Sequence, residues 1–565
     1  MRDDTHRTLL DAFEACLETA PVPYLVELIV GAGERVNVDS SELRLRAAQC
    51  AGRLTELGIV AGDRVVLSIS KGNHFHYAFW GCQMIGAIAV PVAPLDNRGR
   101  LQTQIRHTLQ IAEVARPSAA ILQSDVIDLE SLAELAAWPF PVIMIDHCLS
   151  AEPYNGPPAR RDPEDIAFLQ FTSGSTSAPK GCALSNRAAL NNAFCVNSRL
   201  RSNPGDTNVH WIPLHHDMGL MGGVLCPVYG RMTSVMMSAR QFMLRPLTWV
   251  EAMAGRRGVN SAVPNFGLLM TLQRADRLKL APDALAGVAN ICCGAEPIDS
   301  AVAKPFLEAL APFGLRAETF HACYGMAETT VLATSRPGGL KSGREFLMAA
   351  YTSSPAERGE AKEYVSCGRA VPGAETRIVD ADGRLAPDGV PGELQLRSAS
   401  LFSAYFNNPQ ATADKFDGDW FRTGDQAFQS DGEIYVTGRL SDLIIVGGHN
   451  IFPRDIELEV SARTNVDARR IAAFSVEGSG GSEAIVIVIE CRGSVDRQDL
   501  ARRAAAACMA ESGFSPSDVV FCAGGAIPKT TSGKVRRLDL RAAYIAGKLT
   551  PFVEEDLGEI AHAGN

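Results

Sequence analysis

Several short runs carry residues suited to handling phosphate. Thr172-Ser173-Gly174-Ser175-Thr176-Ser177-Ala178-Pro179-Lys180-Gly181 combines small hydroxyl residues, glycine and a lysine. Backbone N–H groups of such a loop can close on an anion, the hydroxyls add donors, and Lys180 adds a positive charge. By composition alone the run is equally a flexible Ser/Gly turn. It is not a Walker A loop, because Pro179 precedes Lys180 and Gly181 follows it, where that motif has Gly-Lys-Ser/Thr. A P-loop kinase or NTPase is thereby disfavoured. Two acidic runs follow. Tyr324-Gly325-Met326-Ala327-Glu328-Thr329-Thr330 holds a glutamate that is either a solvated loop acid or a ligand for Mg²⁺, which takes one or two carboxylates plus phosphate oxygens. Phe421-Arg422-Thr423-Gly424-Asp425 ends on a carboxylate able to accept two hydroxyl donors at once. Far along the chain, Pro528-Lys529-Thr530-Thr531-Ser532-Gly533-Lys534-Val535-Arg536-Arg537 is a basic loop, solvated or facing an anion.

A histidine cluster lies between these runs, in His210-Trp211-Ile212-Pro213-Leu214-His215-His216-Asp217-Met218-Gly219. His210, His215, His216 and Asp217 are of metal-ligating type, but their spacing fits no familiar zinc motif. An imidazole such as His216 would instead suit a place beside a bound anionic group, a substrate carboxylate for example, with His215 lining a pocket. Trp211, Met218, Phe266 and Met326 would suit the wall of an apolar pocket and are equally compatible with core packing.

The elements that must position these residues are read from periodicity. Val65–Ile69, Ala87–Val92, Ile166–Phe171, Val209–Pro213, Met232–Met237 and Ala289–Cys293 read as strands, and Phe75–Ile85, 100–115 and 186–199 as helices, the last capped by Ser185. Alternating strands and helices predict α/β layers with parallel sheet. From about residue 370, Asp382-Gly383, Pro391-Gly392 and Asp431-Gly432 punctuate short strands and predict a β-rich subdomain over about 365–437. A compact α+β unit follows: helix 453–463, strands 470–476 and 484–490, helix 497–511, strand 518–523. The fold class is therefore α/β, with a large domain over 1–437 and a small α+β domain over 438–565.

In chain order, the loop at 172–181, Gly294-Ala295-Glu296-Pro297, the Tyr324–Thr330 run, the Phe421–Asp425 run, Gly438-Arg439-Leu440-Ser441-Asp442 and the loop at 528–537 resemble the signature stations of the adenylate-forming superfamily, which includes acyl-CoA synthetases, luciferases and nonribosomal-peptide adenylation domains. The resemblance implies ATP and Mg²⁺ as cofactors. Thr172, Ser173, Gly174, Ser175, Thr176 and Lys180 would hold the phosphates; Gly294, Ala295, Glu296 and Pro297 would lie against the adenine, with Tyr324, Gly325, Met326 and Ala327 nearby. Asp425 and Arg439 would hold the ribose, Glu328 the metal, and Lys534 the α-phosphate and acyl carboxylate. Ala327 stands where the family often has Thr, and Ser441 at a hinge position that commonly holds Asp or Lys.

Trp211–Gly223, Arg245-Pro246-Leu247-Thr248-Trp249, Pro264-Asn265-Phe266, Val365-Ser366-Cys367-Gly368 and the insertion-like stretch 335–363 resemble the fatty acyl-AMP ligases. That branch passes its adenylate to an acyl carrier protein. His215 departs from the usual Tyr, and Gly447-Gly448-His449-Asn450 is closer to acyl-CoA synthetases, which keeps coenzyme A as the alternative acceptor. A non-catalytic paralogue is opposed by the intact Lys534, Glu328 and Asp425. A luciferase-like oxidative enzyme would reveal itself by light emission or oxygen dependence.

The whole chain sets outer bounds. Its 565 residues exceed one ordinary core. A formal charge of 54 − 64 = −10 argues against a general nucleic-acid partner. No run of about 18 apolar residues predicts a membrane span, and the first residues, Met1-Arg2-Asp3-Asp4, lack the layout of a signal peptide. The 14 cysteines form no CxxC pairs, and a reducing cytoplasm is expected.

Overall fold

The computed structural model describes residues 6–31, 34–95, 101–123, 135, 137–172, 179–343, 364–446, 449–477, 483–493, 495–529 and 534–552. The predicted phosphate-loop residues Ser173, Gly174, Ser175 and Thr176, the Gly447-Gly448 pair and most of the 335–363 stretch lie outside them.

Two large sheets carry the first four hundred residues. One runs in the order Ala404–Tyr405, Lys180–Ser185, Ile166–Thr172, Ile88–Pro91, Arg64–Ser68, Ala119–Leu122, Val142–Met144. The other has nine strands among the described residues; its centre is Phe320–Tyr324, Val288–Cys293, Val259–Val263, Thr207–His210 and Thr233–Met236, these five parallel to one another. Parallel sheets need both faces covered. The helix Gly72–Ile85 meets that need: every residue from Phe75 to Ile85 is buried, and its cluster joins Val65, Leu67 and Phe168 of one sheet to Val26 and Met236 of the other. The α/β expectation holds.

The predicted strand at 209–213 is displaced. It runs Thr207–His210, and the chain leaves the sheet at Trp211. Pro213 has no N–H to give a ladder, and its carbonyl instead accepts from the His216 N–H at 3.0 Å.

The β-rich unit is a five-stranded antiparallel sheet of Ala374–Val379, Gly392–Ser398, Phe416–Asp417, Trp420–Ser430 and Glu433–Arg439. Beyond it, Ile471–Glu477, Glu483–Cys491 and Asp518–Ala523 form a three-stranded sheet packed with helices Pro453–Thr464, Arg497–Ser512 and Arg537–Ile545. Its buried clusters draw only on residues between Ile444 and Phe552, so this smaller α+β domain has its own core. Arg537 braces it: one guanidinium nitrogen reaches Glu457 Oε1 at 2.7 Å and another reaches Asp442 Oδ2 at 3.2 Å.

Candidate active site

The site gathers at the carboxyl ends of both large sheets. Thr172 and Lys180 face each other across the base of the serine-rich loop. The Lys180 ammonium stands 5.3 Å from the centroid of the Tyr405 ring, and the Tyr405 hydroxyl donates to Glu328 Oε1 at 2.6 Å. Tyr405 was not singled out by sequence. It sits on a two-residue strand whose only signal is pairing with Cys182, which sequence does not reveal.

Glu328 is held in an unusual backbone. A Cβ on Gly325 would lie 1.7 Å from the Val331 carbonyl oxygen, so the chain after Tyr324 folds back tightly only because that residue is glycine. Ala327–Thr329 is a 3₁₀ turn, and Thr330 follows at φ +67°, ψ −58°, with the Val331 N–H donating to Thr329 O at 2.9 Å. This γ-turn is a strained form for a β-branched residue. Buried Asn192 keeps it in place: its amide donates to the carbonyls of Thr329 (3.1 Å) and Leu332 (2.9 Å), and its oxygen accepts from the Leu332 N–H.

Tyr324 and Asp425 are 101 residues apart yet joined, the hydroxyl donating to Asp425 Oδ2 at 2.7 Å. Arg439 Nε lies 3.5 Å from Asp425 Oδ1. Burial raises the Asp425 carboxyl above its usual range, while Arg439, Tyr324 and Lys534 work against that. Burial likewise pushes the Tyr324 hydroxyl up, and Asp425 adds to the effect.

Gly294-Ala295-Glu296-Pro297 follows strand Val288–Cys293, with Ala295 at φ +68°. Glu296 Oε1 accepts the Phe266 N–H at 2.6 Å. Trp211, expected in a pocket wall, is only 3% exposed. It stacks on Phe242 at 3.7 Å and meets Phe266 edge-on at 5.8 Å, so it packs into the core, while Phe266 and Met218 remain partly exposed. Met326 is also partly exposed and Ala327 is buried.

His215 and His216 have ring centroids 4.6 Å apart. Burial holds His216 down to about 4, assisted by the Lys534 charge, so it is a neutral imidazole near pH 7. Burial and its two histidine neighbours, His216 and His107, lower His215 further, and its backbone carbonyl accepts from Gln170 Nε2 at 2.6 Å. His107, on helix Leu101–Ala115, is a residue that sequence reading missed. His210 turns away from this group, its Nε2 lying 2.9 Å from the Ile212 carbonyl. Among the described residues no three His, Cys, Asp or Glu side chains are placed to hold a metal.

Past His216 the helix Asp217–Leu220 widens into a π-turn, Met221–Leu225, before Cys226–Gly230. The loosened carbonyls are taken by neighbours: Ser234 Oγ donates to Gly223 O at 2.7 Å and Asn208 Nδ2 to Gly222 O at 2.5 Å. π-turns of this kind concentrate at functional sites.

Lys534 comes from the small domain. Its side chain is exposed to solvent, yet protein groups surround it closely enough for burial to act on its charge. That surrounding, with Arg439, lowers its ammonium below the usual lysine range, while Asp217, Asp425 and Glu296 pull the other way. The site thus collects, from segments hundreds of residues apart, a hydroxyl-and-lysine loop base, a buried carboxylate held by a tyrosine and an arginine, and a lysine from the small domain.

The family described as AMP-binding enzyme matches residues 23–406. The chain belongs to the AMP-binding enzymes. A long-chain-fatty-acid–AMP ligase, FadD28, of Mycobacterium tuberculosis is 32% identical over 540 residues, covering 89% of this chain and 91% of that one. A Caulobacter vibrioides protein named only provisionally as an acyl-CoA synthetase is 31% identical, covering 90% of each. A solved fatty acyl-adenylate ligase, from work on the E. coli and L. pneumophila enzymes, superposes with a TM-score of 0.86 at 28% identity, over 97% of this chain and 99% of that one. This AMP-binding enzyme is an acid-activating ligase that forms an adenylate, with the two-domain fold of its relatives. No helix among the described residues is long and apolar enough to cross a membrane.

Proposed function

We propose that the enzyme activates a fatty or other apolar acid to acyl-AMP, releasing pyrophosphate, and then passes the acyl group to the phosphopantetheine thiol of an acyl carrier protein. The observation that carries the first step is the Tyr324–Asp425–Arg439 set, within whose electrostatic reach the small domain places Lys534. A carboxylate oxygen attacks the α-phosphorus of ATP as the bond to the pyrophosphate oxygen breaks. Two anions must meet, so catalysis is mostly positioning and charge stabilisation. Lys534 neutralises the α-phosphate and the acid; Lys180 and the 172–176 loop hold the leaving pyrophosphate; Asp425 and Arg439 hold the ribose. Neutral His216 donates to or packs on the acid without adding a second fixed charge beside Lys534. Glu328, a hard oxygen donor beside the phosphate loop, fits Mg²⁺, which would supply charge neutralisation on the phosphates. Phe266 and Met218, backed by Trp211, form the apolar side for the acyl chain.

In the second step the thiol sulfur attacks the acyl carbonyl carbon and AMP leaves. We place the domain boundary at 437/438, with Ser441 at the hinge, so that Lys534 withdraws for thiol transfer. The AMP-ligase relative and a medium-chain-fatty-acid–[acyl-carrier-protein] ligase, JamA, of Moorena producens, 29% identical over 519 residues, support a carrier-protein acceptor. The Caulobacter relative and the Gly447-Gly448-His449-Asn450 run favour the second reading, transfer to coenzyme A. An acid panel in ATP–pyrophosphate exchange, followed by transfer to phosphopantetheinylated carrier protein or to coenzyme A, tests both steps. Transfer to coenzyme A alone would overturn the carrier-protein reading.

A further inference from the structure

The residues that meet Glu296 do not match a loop acid that merely lies against a base. Its Oε1 accepts the Phe266 N–H at 2.6 Å, within the first turn of helix Asn265–Leu272, where N–H groups have no partner in the helix. The contact is returned: Asn265 Oδ1 accepts the Asp299 N–H at 3.0 Å. Two hydrogen bonds in opposite directions therefore join the 294–299 loop to the start of the helix that carries Phe266. That helix has little room to shift. A Cβ on Gly267 would lie 2.6 Å from Val263 Cγ2 and 2.9 Å from the Trp211 ring, and Phe266 is edge-on to the same indole. Burial raises the Glu296 carboxyl above its usual range, and the Phe266 N–H and the charges of Arg454, Lys534 and Arg469, all from the small domain, work against that.

We infer that Glu296 is a positioning residue for the acid: its carboxylate clasps the first turn of Asn265–Leu272 to the 294–297 loop, and so fixes where Phe266 stands relative to the nucleotide and to the incoming lysine. The inference rests on the proposed reading of Phe266 as part of the acyl wall. A carboxylate accepting a helix N-terminal N–H is a charge-assisted bond, shorter and stronger than a neutral one. It also suits the positive end of the helix dipole. Deleting it frees the first helical turn, and with it Phe266, while leaving Asp425, Arg439 and the phosphate loop untouched. The acid should feel the loss more than ATP does.

Steady-state exchange kinetics on Glu296→Ala, Glu296→Gln and Phe266→Ala, each first checked for an unchanged melting temperature, provide the test. Glu296→Ala is expected to raise KM for the acid about tenfold and KM for ATP less than threefold. Glu296→Gln keeps an acceptor oxygen and is expected to restore the acid KM to within about threefold of wild type. Phe266→Ala reports on the wall itself. If it raises the acid KM while Glu296→Ala does not, the clasp is refuted and the wall stands. If Phe266→Ala leaves the acid KM unchanged, the wall reading fails and the clasp fails with it. Equal losses for ATP and acid in Glu296→Ala, or no recovery in Glu296→Gln, would also overturn the inference.

Discussion

The two halves of the active site are built differently. On the large-domain side, candidate groups are hydrogen-bonded to one another or to the backbone: Tyr324 to Asp425, Tyr405 to Glu328, Gln170 to the His215 carbonyl, Asn192 to Thr329 and Leu332 around the γ-turn. On the small-domain side stands Lys534, in the combined field of Arg439, Asp217, Asp425 and Glu296. In the proposed mechanism the large-domain half binds and orients, and Lys534 supplies charge at the moment of reaction. Preorganised groups lower reorganisation cost at the transition state, whereas a group brought in by domain closure can also be taken away.

The comparison can be broken in several ways. The largest expected effect is at Lys534. Lys534→Ala should lower acid-dependent ATP–pyrophosphate exchange by about 10²–10³-fold, the typical loss on removing one preorganised charge-stabilising donor, while ATP binding measured by calorimetry stays near wild type. If ATP binding falls in step with exchange, the lysine belongs with the half that binds and orients. Asp425→Asn should do the opposite and raise KM for ATP. Charge-assisted hydrogen bonds contribute about 1.5–3 kcal/mol, so the increase should be about 10–100-fold. A kcat loss with unchanged ATP KM would refute a ribose role. Tyr405→Phe keeps the ring beneath Lys180 and removes only the hydroxyl to Glu328. The exchange rate should drop about tenfold, from the low end of the same range, and a wild-type rate would show that the Tyr405–Glu328 link is dispensable.

The smallest effect concerns pH. His76 and His210 are buried and held near 4, below their ordinary 6.5. The unfolded chain binds their protons more readily than the folded one. Their contribution to stability is therefore complete above about pH 6.5 and lost as pH falls toward 4. Buried carboxylates such as Asp425, whose folded pKa is raised, oppose this trend in the same window. The melting temperature should fall by a few degrees between pH 6.5 and 4.5, and His210→Asn should flatten that slope. An equally steep slope in the variant would remove His210 as a cause.

Local pattern made much of this molecule legible. The five small-domain elements expected between 453 and 523 stand within a residue or two of their places, because each is periodic and bounded by turn residues; the paired strands Ile444–Val446 and His449–Ile451 and the helix Arg537–Ile545 are additions of the structure. Ser185 caps helix Asn186–Leu200 as its position implies, accepting the Ala188 N–H at 3.1 Å. The motifs around Tyr324 and Asp425 were readable as separate runs, but their hydrogen bond was not, since nothing local records a partner 101 residues away. The same reason hides the pairing of Val26–Val30 with Thr233–Met236. Glu296 was placed correctly in the loop after Val288–Cys293, yet its contact with Phe266 depends on how two parallel strands end side by side, and that is tertiary information. Trp211 looked like a wall residue because an indole is compatible with either environment; stacking on Phe242 decided for the core.

The π-turn at Met221–Leu225 sets the angular phase of everything upstream of it. A π-turn holds one more residue than an α-turn between the same neighbours, and one residue of α-helix is a rotation of about 100°. Removing a single residue from this segment would let the helix run straight through from Cys226. His216 and Asp217 would then swing about 100° around the axis, off the face that meets Lys534. One inserted position thus acts as a rotational key: the placement of His216 and Asp217, both within reach of the Lys534 charge, depends on residue count as well as on residue type.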